Sequence, residues 1–173
     1  MANTYTLIAS NTLSSAAAAV TFSSIPATYT DLVIRFAIRD TYSAAANAAQ
    51  ARVTHNGTTA NYSWTELNGT GASAASGRLS NQAYYETDAG SPTNANTANT
   101  FSSAELYIPS YTASQNKPVS VFSVGENNTT TAYMSVRAAL WRNTDAITSI
   151  TLTANISTFV AGSSFFLYGI KNS

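Results

Sequence analysis

The sequence predicts an all-β chain, an antiparallel two-sheet sandwich of jelly-roll type, with one domain spanning residues 1–173. Three observations predict it. Apolar and polar residues alternate with period two in short runs along the chain, the pattern of strands with one buried face. Glycine, proline and asparagine recur between the runs, where tight reversals need a positive or a fixed φ. No helical pattern competes: the alanine-rich stretches 14–19 and 43–50 are too short to be stable helices alone, so both read as loops with at most one helical turn.

In chain order, strands are expected first at 4–10 and 18–22. Ile25-Pro26 then leads into the clearest run, Asp31 to Arg39, where Leu32, Ile34, Phe36 and Ile38 share one face and Asp31, Arg35 and Arg39 the other. Strands at 50–55, 60–67 and 80–86 follow, with reversals at Asn56-Gly57 and Asn68-Gly69. Half-buried runs at 104–108, 134–138 and 148–154, the last dense in β-branched residues, join strands at 117–124 and 163–170. Segments 68–80 and 89–99 are rich in Gly, Ala, Ser, Asn and Thr and read as long surface loops. About ten strands exceed the count of an immunoglobulin domain, which favours a jelly roll.

A chain of 173 residues suits one domain burying roughly 70% of the surface its unfolded form exposes. Lys+Arg and Asp+Glu number 8 each, so no long-range field draws in nucleic acid or an anionic membrane. Charged residues are 9% of the chain, against about 25% in an ordinary domain. A neutral monomer so poor in charge has little repulsion to keep copies apart, and much of its surface is expected to be covered in an assembly. Ten Tyr, seven Phe and two Trp argue against disorder. The lack of cysteine excludes disulfides, thiolate catalysis and cysteine zinc sites. The opening residues carry no basic n-region, and no apolar run approaches the 18 or so residues of a span. Synthesis in a cytoplasm without a cleaved signal is the expectation.

Motifs for catalysis are missing. His55 is the single histidine, at a strand end before Asn56-Gly57, and no Gly-x-Ser-x-Gly elbow accompanies it; a structural histidine bonded to a neighbour is expected. Glu66, Glu86, Asp88 and Glu105 could supply the two carboxylates of a glycosidase, and Glu86 with Asp88 could bind calcium, but no acidic loop supplies the remaining oxygens. Solvated turn carboxylates are the simpler account. No catalytic residue, cofactor or metal site is therefore assigned. The candidate interaction surface is Tyr62, Trp64, Tyr84, Tyr85, Arg35 and Arg39. Tyr62 and Trp64 share a strand face, and such rings stack on sugars or anchor protein interfaces, unless Trp64 and Trp141 are core. Arg35 and Arg39, with Arg137 and Arg142 on or beside another strand, offer planar forks to carboxylate, sugar or phosphate, most simply across a sheet or subunit boundary.

Two regions carry a resemblance. Val53-Thr54-His55-Asn56-Gly57 with Asn61-Tyr62-Ser63-Trp64, and the stretch from Trp141-Arg142-Asn143-Thr144-Asp145 to Leu152 with Ser164 to Lys171, resemble small virion-associated structural proteins of tailed bacteriophages. Tyr5 to Ala9 and Ile25 to Leu32 fit the same pattern, which weakens across residues 70–130. The resemblance implies a capsid decoration or cement protein on the virion surface. Its partners would be the major capsid protein or other virion proteins and its own copies, a trimer being the favoured closed oligomer. A tail or fibre module binding a host glycan is the alternative, and the residues do not decide between head and tail.

Overall fold

The computed structural model describes residues 4–43, 50–87, 90–127 and 132–172, and among them every regular element is a strand. These are β1 (Tyr5–Thr12), β2 (Ala19–Phe22), β3 (Asp31–Ala37), β4 (Ala51–His55), β5 (Tyr62–Gly69) and β6 (Ala74–Gln82), followed by β7 (Tyr85–Glu86), β8 (Ser103–Ile108), β9 (Lys117–Gly125), β10 (Tyr133–Trp141), β11 (Ile150–Ala154) and β12 (Ser164–Ile170). The alanine-rich residues 44–49 and Asp88 lie outside the described residues.

Strands pair antiparallel in an eight-stranded sheet, β1-β12-β3-β8-β9-β10-β5-β6, and a four-stranded sheet, β2-β11-β4-β7. Setting aside the β5–β6 and β9–β10 hairpins leaves β1-β12-β3-β8 facing β2-β11-β4-β7, the double Greek key of a jelly roll. The two hairpins pair with each other through β10 and β5 and widen one sheet only. The core lies between the sheets. Leu32, Ile34 and Phe36 of β3, Leu106 and Ile108 of β8, and Phe165 and Leu167 of β12 cluster with Val53 of β4 and Ile150 and Leu152 of β11. Each such side chain contributes about 1.5–3 kcal/mol through burial.

Two segments differ from the expectation. Residues 80–86 are not one strand: β6 ends at Gln82, and after a bend β7 pairs with β4 in the other sheet. Residues 68–80 are not a loop but a hairpin, closed where the Thr70 N–H donates to the Ser73 carbonyl at 3.0 Å and the Ser73 N–H to the Thr70 hydroxyl at 3.2 Å. Strand β6 is a sheet edge with nearly every side chain in solvent, so small polar residues form it without any apolar alternation to announce it.

Arg39 is a third correction, and Asp31 a fourth. Both were expected on the solvent face of β3. Yet β3 stops at Ala37, and Arg39 beyond it is 7% exposed. Its Nη1 donates to the carbonyls of Thr97 (2.7 Å) and Thr100 (3.2 Å), and its Nη2 to that of Asn96 (3.0 Å). Burial pushes its pKa down. The guanidinium thus pins segment 90–100, where Ser91 and Thr93 are fully buried rather than on a surface loop. Asp31 is likewise buried, accepting from the Tyr107 hydroxyl and the Ser110 N–H, each at 2.8 Å. Replacing Arg39 by methionine leaves three carbonyls without their donor; a loss of about 2 kcal/mol or more is expected by urea unfolding, with faster amide exchange concentrated in 93–100.

Candidate functional site

Tyr62 and Trp64 share a face, as alternation requires, but it is the inner one. Tyr62 is fully buried, stacked at 6.1 Å on Trp141, which is also fully buried. Its hydroxyl accepts from the His55 N–H at 2.8 Å and donates to the Thr58 carbonyl at 3.2 Å. Tyr85 is fully buried, 5.9 Å from Tyr62. Trp64, 5% exposed, is capped by the half-buried Tyr84 at 6.3 Å, and the Arg52 guanidinium lies 4.4 Å from the Tyr84 ring centre. An exposed sugar platform built on Tyr62, Trp64 and Tyr85 is therefore overturned, because β5 of the large sheet and β7 of the small one turn these rings into the space between the sheets. Both tryptophans are core.

His55 stands inside this aromatic nest, 5.5 Å from Tyr85 and 5.3 Å from Trp141. Neither ring nitrogen has a hydrogen-bond partner among the described residues, so the expected side-chain bond to a neighbour is not found there. Burial, reinforced by the Lys117 charge, lowers its pKa from 6.5 to about 3. Lys117 is itself fully buried, its Nζ donating to the carbonyls of Ala113 (2.7 Å) and Gln115 (2.5 Å). Glu66 and Glu86 are not solvated turn carboxylates. Arg137, its side chain 2% exposed, pairs with Glu66 and lies 3.6 Å from Glu86, which also meets Arg52 at 3.6 Å. Both carboxylates are committed to guanidinium groups, Glu66 to Arg137 on the adjacent strand and Glu86 to Arg137 across the gap between the sheets. No cluster of three or more metal-ligating side chains occurs among the described residues.

The outer face of the large sheet is where side chains remain available. At one end of β9, β10 and β5 the alternation is reversed relative to burial: Ser123, Ser135 and Arg137 point inward, while Phe122, Met134, Val136 and Leu67 point into solvent, 49–59% exposed; at the other end Val119, Val121, Trp141, Tyr62 and Trp64 are buried as usual. Register places Leu67, Val136 and Phe122 side by side on three adjacent strands, with Met134 beside Val124 two residues along. No signal in the isolated runs marks this face, because the polar side finds its partners on other strands. Continuing the row, Glu105 of β8 and Arg35 of β3 form an exposed ion pair, Nε to Oε2 at 2.8 Å. Of the six residues put forward from sequence, Arg35 alone lies on this face. Beside it runs an open trough of about 490 Å³ walled by Phe122, Phe166 and Tyr168.

No family model matches the chain, and no curated protein does. Among solved structures, one described as showing that cell entry of botulinum neurotoxin type C depends on interaction with two ganglioside molecules has a TM-score of 0.25 and 10% identity. The alignment covers 95% of this chain but 44% of that one. A similarity so low carries no argument about fold or ligand. The jelly-roll assignment rests on the strand order itself: a cysteine-free sandwich in which one sheet, widened by two hairpins, turns an apolar face to solvent.

Proposed function

We propose that this protein is a structural component of a tailed-phage virion, a decoration or cement protein that sits on the outside of the head, binds the major capsid protein and associates with its own copies. The reversed faces of β9, β10 and β5 carry the reading. Three adjacent strands that at one end bury Ser123, Ser135 and Arg137 and expose Leu67, Val136, Met134 and Phe122 are arranged for a surface that becomes covered. Each half-exposed side chain withdrawn from water contributes about 1 kcal/mol to such a contact. The formal charge of zero removes repulsion between copies. Jelly rolls serve viral capsids and lectins alike, an analogy of fold that fits the resemblance noted above without deciding the partner.

Light scattering on the purified protein is expected to give a discrete oligomer, the trimer being favoured, and the protein is expected to co-sediment with empty heads. Leu67→Ser combined with Val136→Ser should dissociate it to monomers that stay folded, because both side chains are half exposed within the monomer, with a thermal midpoint lowered by the lost assembly. A strictly monomeric parent protein without affinity for heads would sink the proposal.

A further inference from the structure

The trough beside the apolar row has a different chemistry from it. Small side chains, Ala37, Ser103 and Ser164, form its floor. Phe166, Arg35, Glu105 and Phe122 stand abreast on four adjacent strands along one side. With strands about 4.8 Å apart, the two phenylalanine positions are separated by roughly 14 Å. The Arg35 guanidinium is steadied by the rings of Tyr5 and Tyr168, 5.5 and 5.9 Å away, and engages Glu105 through Nε alone. Its Nη groups and Oε1 of Glu105 have no hydrogen-bond partner among the described residues. Donors and an acceptor that no protein group occupies therefore sit next to each other, between two aromatic side chains, open to a ligand in place of water.

We infer that this trough binds a neutral oligosaccharide. Neighbouring hydroxyls on a sugar ring match the pair: one accepts from an Nη group of Arg35 while the next donates to Oε1 of Glu105. A phosphate offers acceptors only and an ammonium donors only, so neither satisfies both partners. The pair has no net charge, and the chain as a whole has none, so no field selects an ion over a neutral ligand. Apolar faces of sugar rings cover Phe122 and Phe166, aromatic surface otherwise left in water. The separation of those two rings calls for an oligomer rather than a single sugar. Phe122 borders both surfaces, but the self-association test is placed on Leu67 and Val136, which the trough does not include, so the two readings can fail separately.

The test is titration of cellohexaose, maltohexaose, mannohexaose and chitohexaose into the isotope-labelled protein, followed by NMR. Saturable shifts confined to amides of β3, β8, β9 and β12 are expected for one or more of the four. Phe122→Ala, Phe166→Ala and Glu105→Gln should each weaken that binding about tenfold, with unchanged spectra elsewhere reporting an intact fold. The Leu67→Ser, Val136→Ser double variant should bind as the parent does. Absence of such shifts with all four sugars overturns the inference. So does binding that survives both phenylalanine substitutions, or shifts at these amides that track protein concentration instead of sugar, which would assign the trough to a second copy of the chain.

Discussion

Arg137→Met is expected to destabilise the protein by about 3–5 kcal/mol, among the largest effects of any single substitution here. Arg137 is 2% exposed, while Glu66 and Glu86 around it are 22% and 17% exposed. Removing the guanidinium leaves two carboxylates in a poorly solvated gap, with Arg52 alone to offset Glu86. The cost comes from the stranded charges, not from the value of the ion pairs as such. Combining Arg137→Met with Glu66→Gln and Glu86→Gln should therefore recover most of it, because the one charge left, Arg52, is 37% exposed and reaches water. Urea unfolding of the single and triple variants makes the comparison, with an unchanged m value showing that the same surface is exposed in each. A single-variant cost below about 1 kcal/mol would mean that water reaches the carboxylates freely.

Acid sensitivity governed by His55 is the second large effect. With a folded pKa of about 3 against 6.5 for the free side chain, the unfolded chain takes up a proton between these values and the folded one does not. Stability is thus fully present above pH 6.5 and falls as pH drops toward 3, by about 2 kcal/mol at pH 5 and about 3 kcal/mol at pH 4. The groups facing the imidazole are Tyr62, Tyr85 and Trp141, with the Lys117 charge acting in the same direction as burial. None supplies a carboxylate that would favour the imidazolium. Carboxylates elsewhere titrate in the same window, so the informative quantity is the difference between the parent and His55→Leu, which keeps an apolar side chain in the nest. The variant should lose this share of the pH dependence. Parallel stability curves for the two proteins from pH 7 to 4 would show that the imidazole is reached by water.

Much of the architecture was legible because side-chain alternation is a local property. The run from Leu32 to Phe36 places β3, and the β-branched residues of 150–154 place β11, since each buries its apolar side against the opposite sheet. The surface was less legible. Tyr62-Ser63-Trp64 has the composition of an exposed aromatic platform, and nothing within the strand says that the ring face turns inward beneath His55 and Tyr85. Arg39 continues the β3 alternation in sequence, but the strand has ended, and its donors go to carbonyls near residue 100. Strand β6 was hidden for the opposite reason: an edge with both faces in water requires no apolar pattern.

By itself, the sequence determined that this is a charge-poor, cysteine-free sandwich of many short strands, and it located most of those strands, because period two and turn chemistry act over a few residues. The tertiary structure alone decided which side of β9, β10 and β5 is the inside. Alternation defines two faces without saying which is buried when one carries Met134 and Val136 and the other Ser135 and Arg137. That choice follows from partners on other strands. Ser123 meets Ser135 at 2.9 Å, and Arg137 reaches Glu66 on the neighbouring strand and Glu86 on the opposite sheet. Burying these polar groups is tolerable only where such partners converge, and their convergence is what turns the apolar face outward.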